Sequence, residues 1–234
     1  MADRKAKKIC IAIDGPAGSG KSTTARMVAA RLGYLHLDTG AMYRAVTLHA
    51  LQQHIDLLDN DKLVDVTRNS HIHFENNGSM QRVFLNGADV TEAIRTPQVT
   101  NSIGPVAANP QVRAILVEKQ QEVMRRGGVV AEGRDIGTVV CPQAELKIFM
   151  VASIAERAKR RHKELQDKGI EVDLQTLIKD MEQRDSQDTG RKVNPLKQAN
   201  DAILLDNSQM SVDEQVDFVI HKAQEILAAD AGHN

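Results

Sequence analysis

The chain has 234 residues, 41% of them hydrophobic and 26% charged, a balance that excludes disordered, fibrous and collagen-like classes. A chain of this length buries most of its unfolded surface without disulfide or metal staples, so one domain is expected. Lys and Arg number 30 against 31 Asp and Glu, and aromatic residues make up 3% with no Trp, so neither nucleic acid nor an anionic membrane is an expected partner.

Residues 1–8, MADRKAKK, are basic, and the ICIAI run after them is far too short for a signal-peptide core. No apolar run approaches the ~20 residues of a membrane span. A solvated tail on a cytoplasmic protein is the expectation. Cys10 and Cys141, distant in sequence and without paired spacing, read as buried or half-buried free thiols in a reducing compartment.

Residues 9–13 predict a buried strand, and a Gly-rich turn then leads to a helix from Lys21 to Leu32 that Gly33 ends. A short strand at 34–37 and a helix from Ala41 to His54 follow. HIHFE at 71–75 and QRVFL at 81–85 alternate with period two across Asn76-Asn77-Gly78, and Asn86-Gly87 is a second turn signal. This predicts a small antiparallel unit and leaves open whether it is decorative or functional. Pro110 to Arg126 reads as a helix, with Asn109 as its cap, Pro110 at its first position and Gly127-Gly128 past its end. Further strands are expected at 129–132, 146–151 and 203–206, and the last helix opens with a capping box from Ser211 to Glu214. Strands alternating with helices predict an α/β fold whose parallel sheet is covered on both faces.

GPAGSGKS at 15–22 fits the phosphate-loop pattern, with a strand before it and a helix after it. Gly15, Gly18 and Gly20 allow close backbone approach, so Gly15, Pro16, Ala17, Gly18, Ser19 and Gly20 can wrap the phosphates of ATP at the positive end of a helix. Lys21 adds a cation for the β- and γ-phosphates, Ser22 offers a hydroxyl to Mg²⁺, and Thr23 lies near the α-phosphate. Neither an NKxD nor a DxxG segment is present, which demotes a GTPase switch. A larger ATPase motor would run longer, so a kinase of a nucleotide or small metabolite remains.

Such a kinase needs arginines that converge on two phosphorylated substrates. They lie in LDTGAMYR at 37–44, EGRDIGT at 132–138 and RDSQDTGR at 184–191, and the first two of these segments follow predicted strands. Arg157, Arg160 and Arg161 are spaced to share one helix face, which is either a solvated basic face or a lid over ATP. Asp14, Asp38 and Glu132 end strands, and each can cap a turn or stand behind Mg²⁺.

GPAGSGKST, DTGAMYR, NGADVTEAIRT, VAANPQVR, AEGRDIGTVV and RDSQDTGR, in this order, make the whole chain resemble the bacterial cytidylate kinase family. The resemblance implies a P-loop fold with a five-stranded parallel sheet, an inserted monophosphate-binding subdomain at about 63–103 and a short helical lid at about 154–168. It implies transfer from ATP to CMP or dCMP by a protein expected to be a monomer. Arg113 and Asp135 would read cytosine, Arg184 and Asp188 would hold the ribose, and Thr39, Arg44, Arg134 and Arg191 would surround the acceptor phosphate. Lys21, Arg134, Arg191, Arg157 and Arg161 would be the catalytic cations. Gly104-Pro105 departs from the family pattern, in which a serine that helps to read the base often stands there.

Overall fold

The computed structural model describes residues 8–77, 80–167 and 169–231. The chain opens with β1 (Cys10–Asp14), α1 (Lys21–Leu32), β2 (Leu35–Asp38) and α2 (Thr39–Gln52). α3 (Asn60–Arg68) leads into β3 (Ile72–Asn77), β4 (Met80–Leu85) and β5 (Ala88–Asp89), and a 3₁₀ turn at Ala93–Arg95 leads out to α4 (Pro97–Ala108). α5 (Pro110–Met124), β6 (Val129–Gly133) and a π-helical turn at Ile136–Val140 come next. The chain continues through β7 (Leu146–Val151), α6 (Ile154–Gln166), α7 (Leu174–Thr189), β8 (Ile203–Asp206) and α8 (Val212–Ala231).

Five strands form a parallel sheet in the order β2-β6-β1-β7-β8. Alternate side chains of β1 serve opposite faces, which explains its unbroken apolar run. Ile11 and Ile13 pack with Val28, Val216 and Val219 on the side of α1 and α8, while Ala12 packs with Leu37, Val112 and Leu116 under α2 and α5. A third cluster, including Ala41, Ala45, Val83, Leu85 and Ile94, seats the small antiparallel sheet β3-β4-β5 against α2.

Register sets the site. Asp14 pairs with Gly133, Asp38 with Glu132 and Asp206 with Val151, so the loops that follow β1, β2, β6, β7 and β8 leave from one edge of the sheet. The chain moves to opposite sides of β1 at this edge, which is the topological switch point where open α/β sheets bind ligands.

Several expected boundaries move for identifiable reasons. α2 begins at Thr39 because the Asp38 side chain accepts from the Ala41 N–H at 2.9 Å, and it ends before His54, whose φ is +53°. α5 stops at Met124, and Gly127 and Gly128 then take positive φ. The capping box at Ser211 forms: Ser211 N donates to Glu214 Oε2 at 2.7 Å, and Glu214 N to Ser211 Oγ at 3.3 Å. β3 runs on to Asn77 of the expected turn, and Gly78 lies outside the described residues, as do residues 1–7 of the basic tail. The hairpin turn at Asn86-Gly87 has positive φ at both residues, as a tight two-residue hairpin requires.

α4 was not legible as a helix, because Gly104 and Pro105 lie inside it. Proline removes an internal hydrogen bond. A cap from Thr96 and burial of Val99, Val106 and Ala107 offset that loss. Cys10 and Cys141 are free but adjacent: a hydrogen bond between the thiols, in which Cys10 keeps the proton and Cys141 accepts, and burial push the Cys10 pKa up. Among the described residues no helix is long and apolar enough to cross a membrane.

Candidate active site

The loop between β1 and α1 is built against β7 and α6. A Cβ on Gly15, whose φ is +153°, would lie 2.1 Å from the Met150 carbonyl oxygen, so only glycine allows this approach. Gly20 caps α1 in a left-handed conformation with φ +91°, which leaves the helix's first N–H groups facing the loop. Lys21 folds back over this hollow, and its ammonium donates to the Pro16 carbonyl at 2.6 Å and to Ser19 Oγ at 3.3 Å. Burial, with Arg134 nearby, pulls the Lys21 pKa down to about 7. Glu132, Asp14 and Asp188 pull the other way without offsetting the burial, so a further negative charge beside Lys21 would be stabilised.

Ser22 opens the floor of the site. Its hydroxyl donates to Glu132 Oε2 at 2.7 Å, while Glu132 Oε1 is buried without a hydrogen-bond partner, 3.4 Å from His36 Nε2. Thr39 Oγ1 donates to the Glu132 carbonyl at 2.7 Å, so its proton is committed to the strand in this arrangement. Of the three strand-end acids, Asp14 and Asp38 serve as caps. Asp14 accepts from the Ile136 and Gly137 N–H groups at 2.8 and 2.7 Å at the start of the π-helical turn, and its burial raises its pKa to about 6. Glu132 alone has a spare oxygen beside Ser22.

The predicted arginines converge from three elements. Arg134, after β6, donates to Asp188 Oδ2 at 2.6 Å, and Arg191, just past α7, donates to Asp188 Oδ1. Arg44 on α2 donates to Asp38 Oδ2 at 2.7 Å. Arg184 is half-buried among them, with no ion pair among the described residues. Burial, Arg134, Arg44 and Arg191 together lower its pKa to about 10, against the pull of Asp188. Three arginines thus pair with two carboxylates, and the fourth stands among them. Burial works against ionisation of Asp188, but Arg134 and Arg191 hold its carboxyl below the usual range. The charge of Arg134 also acts on Lys21, so the phosphate loop and the arginine cluster are electrostatically linked.

Three comparisons bear on this geometry. The sequence model of the family described as cytidylate kinase matches residues 11–225. The chain belongs to the cytidylate kinase family. A cytidylate kinase of Bacillus cereus (strain ATCC 10987 / NRS 248) is 49% identical over 222 residues, which covers 95% of this chain and 99% of that protein. One of Bacillus thuringiensis (strain Al Hakam) is 50% identical over 214 residues, 92% of this chain and 95% of that protein. Among solved structures, an uncharacterized protein from Eubacterium ventriosum ATCC 27560 superposes with a TM-score of 0.51 at 12% identity, over 92% of this chain and 98% of its own, a likeness of fold alone.

Two further features of the family pattern take a definite form here. Arg113 on α5 is 2% exposed, and its Nη2 donates to Asp135 Oδ2 at 2.5 Å and its Nη1 to the Ala107 carbonyl at 3.1 Å. Its guanidinium lies 5.3 Å from the Tyr43 ring centroid, so the pair is held from two sides. Gly104 is exposed, and a Cβ there would meet nothing within 4 Å, so space for the departed serine remains.

The basic face of α6 divides instead of acting as one. Arg157 is buried: it donates to the Ala17 carbonyl at 2.9 Å, to the Ala152 carbonyl at 3.1 Å and to Asp185 Oδ2 at 2.6 Å, so in this conformation it braces the loop with every group satisfied. Arg161 instead pairs with Glu164 at the surface, 3.0 Å away. Arg160 approaches the loop, with Nη1 3.8 Å from the position of a Cβ on Gly20. Lys168, the expected end of the lid, lies outside the described residues.

Sequence reasoning missed His36, Asn207 and Gln215, all buried at this edge. The His36–Glu132 proximity follows from strand pairing, and Asn207 reaches the loop across 188 positions of chain. No local spacing announces either.

Proposed function

We propose that this chain transfers the γ-phosphoryl group of ATP to CMP and dCMP, giving ADP and the corresponding diphosphates. The observation that carries the reading is Arg134, which shares Asp188 with Arg191 and whose charge also acts on Lys21 of the phosphate loop. A cation between two anion sites is where the donor γ-phosphate and the acceptor phosphate have to meet. The family membership names the acceptor class.

Gly15 to Thr23 hold the donor phosphates, with the backbone N–H groups and Lys21 as donors. Arg44, Arg134 and Arg191, with Thr39, surround the acceptor phosphate; Arg184 and Asp188 border the ribose, and Arg113 and Asp135 face the base as a pair. The segment at about 63–103 is the acceptor-side subdomain, and the segment at about 154–168 is the lid. Both oxygens of Asp188 are engaged by arginines, so contact with a sugar hydroxyl requires one arginine to turn to phosphate. No protein base is needed. The acceptor phosphate is already anionic, and in a loose transition state the protein contributes alignment and charge neutralisation.

The residues present fit Mg²⁺. Ser22 offers its hydroxyl, and the unpartnered Glu132 Oε1 gives a buried anionic oxygen beside it, suited to a hydrated ion that keeps several waters. When bound, the ion neutralises charge shared by the β- and γ-oxygens.

An acceptor panel tests the reading. With Mg·ATP, ADP formation should be fastest on CMP and dCMP, with kcat/KM for UMP lower by up to ~10²-fold and AMP and shikimate near background. Turnover led by AMP or shikimate would overturn the assignment.

A further inference from the structure

Asn207, the first residue after β8, is completely buried at the edge of the phosphate loop, and the reading above gives it no role. Its Nδ2 donates to the Ser19 carbonyl at 2.7 Å and to Gln215 Oε1 at 3.0 Å. On the other side, its Oδ1 accepts from Arg160 Nη1 at 3.2 Å, and its backbone carbonyl accepts from Arg160 Nη2 at 2.9 Å. The amide orientation follows from these partners, because the NH₂ meets two acceptors and the oxygen meets a guanidinium. The residue is itself anchored: its N–H donates to the Val151 carbonyl at 2.9 Å, Thr24 Oγ1 donates to Gln215 Oε1 at 3.0 Å, and Gln215 Nε2 donates to the Met210 carbonyl at 3.0 Å.

What Asn207 holds matters more than how well it is held. The peptide that joins Ser19 to Gly20 is planar and trans, so its carbonyl and its N–H point in opposite directions. Drawing the Ser19 oxygen toward Asn207 turns the Gly20 N–H the other way. The Gly20 backbone, at φ +91°, is held by no Cβ, so this peptide plane can rotate cheaply once its oxygen is released. A rotated plane would present a carbonyl oxygen to the phosphates where a donor is needed.

We propose that Asn207 is a positioning residue for the phosphoryl donor. It fixes the Ser19–Gly20 peptide with its N–H toward the phosphate, and its side-chain oxygen and backbone carbonyl anchor Arg160 of α6, so docking of α6 and ordering of the loop are linked through one residue. The proposal rests on the phosphate-loop reading above and adds a residue from the far end of the chain to it.

Asn207→Asp tests it with almost no change of volume, because it sets an oxygen against the Ser19 and Gln215 oxygens. We expect KM for Mg·ATP to rise by ~30-fold or more and kcat to fall by ~10-fold, since a misdirected backbone donor is lost from the transition state as well. KM for CMP should stay within about threefold, because the acceptor site is built from other elements. Asn207→Ala, which leaves Ser19 O unheld without repulsion, should show the same split to a smaller extent and supplies a second arm if the aspartate variant fails to fold. Thr24→Val separates positioning from simple stability. It removes a hydrogen bond of the same buried network but leaves the Ser19 contact, so it should lower Tm and move KM for Mg·ATP by less than about threefold. Equal rises in KM for ATP and CMP, unchanged kinetics with a lowered Tm, or the same split in Thr24→Val would each overturn the proposal. Transfer from ATP to CMP by the unmodified chain in the same assay tests the underlying reading separately.

Discussion

Replacing Lys21 by alanine is expected to lower kcat by ~10²–10³-fold while KM for CMP changes little. The ammonium is buried, its hydrogen bonds go to Pro16 O and Ser19 Oγ, and burial has already drawn its pKa to about 7 against the pull of Glu132, Asp14 and Asp188. The free protein therefore bears a cost for keeping the charge there, and that cost is recovered when negative charge arrives. Charge on the transferring group is what the lysine meets, so the loss belongs to turnover and not to acceptor binding. A ~10²-fold loss corresponds to about 2.7 kcal/mol of transition-state stabilisation. Tm should stay close to that of the unmodified chain, because a disfavoured buried charge leaves together with its two hydrogen bonds. Steady-state kinetics with both substrates varied, alongside a thermal melt, check this. Near-normal kcat would remove Lys21 from the reaction.

Asp135→Asn is the second large effect. Arg113 is 2% exposed, and its one carboxylate partner is Asp135. Exchange of the carboxylate for an amide leaves a guanidinium charge uncompensated in the interior, which costs about 3 kcal/mol in stability. The Ala107 carbonyl and the Tyr43 ring remain in place but cannot neutralise it. The resemblance implies that Asp135 reads cytosine; were its carboxylate to accept from the base's amino group directly, the amide would favour uracil. The buried ion pair of Asp135 Oδ2 with Arg113 supports an orienting role. We therefore expect a lower Tm and a fall in kcat/KM of ~10²-fold on CMP and UMP in the same proportion. A fall on CMP with a gain on UMP would return Asp135 to direct base reading.

The parts of the site legible in sequence are those whose chemistry is contiguous. The phosphate loop compresses strand end, turn and helix start into a few residues, and each glycine there answers a local demand: Gly15 allows the approach to Met150 O, and Gly20 caps α1. The arginines of three segments were visible as charge at strand and helix ends, but their sharing of Asp188 was not, because it depends on α7 lying beside the loop after β6. α4 stayed hidden because Gly104-Pro105 argues locally against a helix, while the burial that favours one comes from the rest of the fold. The face of α6 is legible only in part, for a related reason. Helical spacing gives direction but not depth: it grouped Arg157, Arg160 and Arg161, whereas packing against α7 buries the first and Glu164 keeps the last at the surface.

The most direct test of the central claim is to follow the label from ATP carrying ³²P at its γ-position, mixed with CMP, Mg²⁺ and the chain. Arg134 between the loop and the arginine cluster implies direct passage from one bound phosphate to the other, so the label should appear in CDP with ADP formed in equal amount. Label released as inorganic phosphate, with CMP recovered unchanged, would contradict the account.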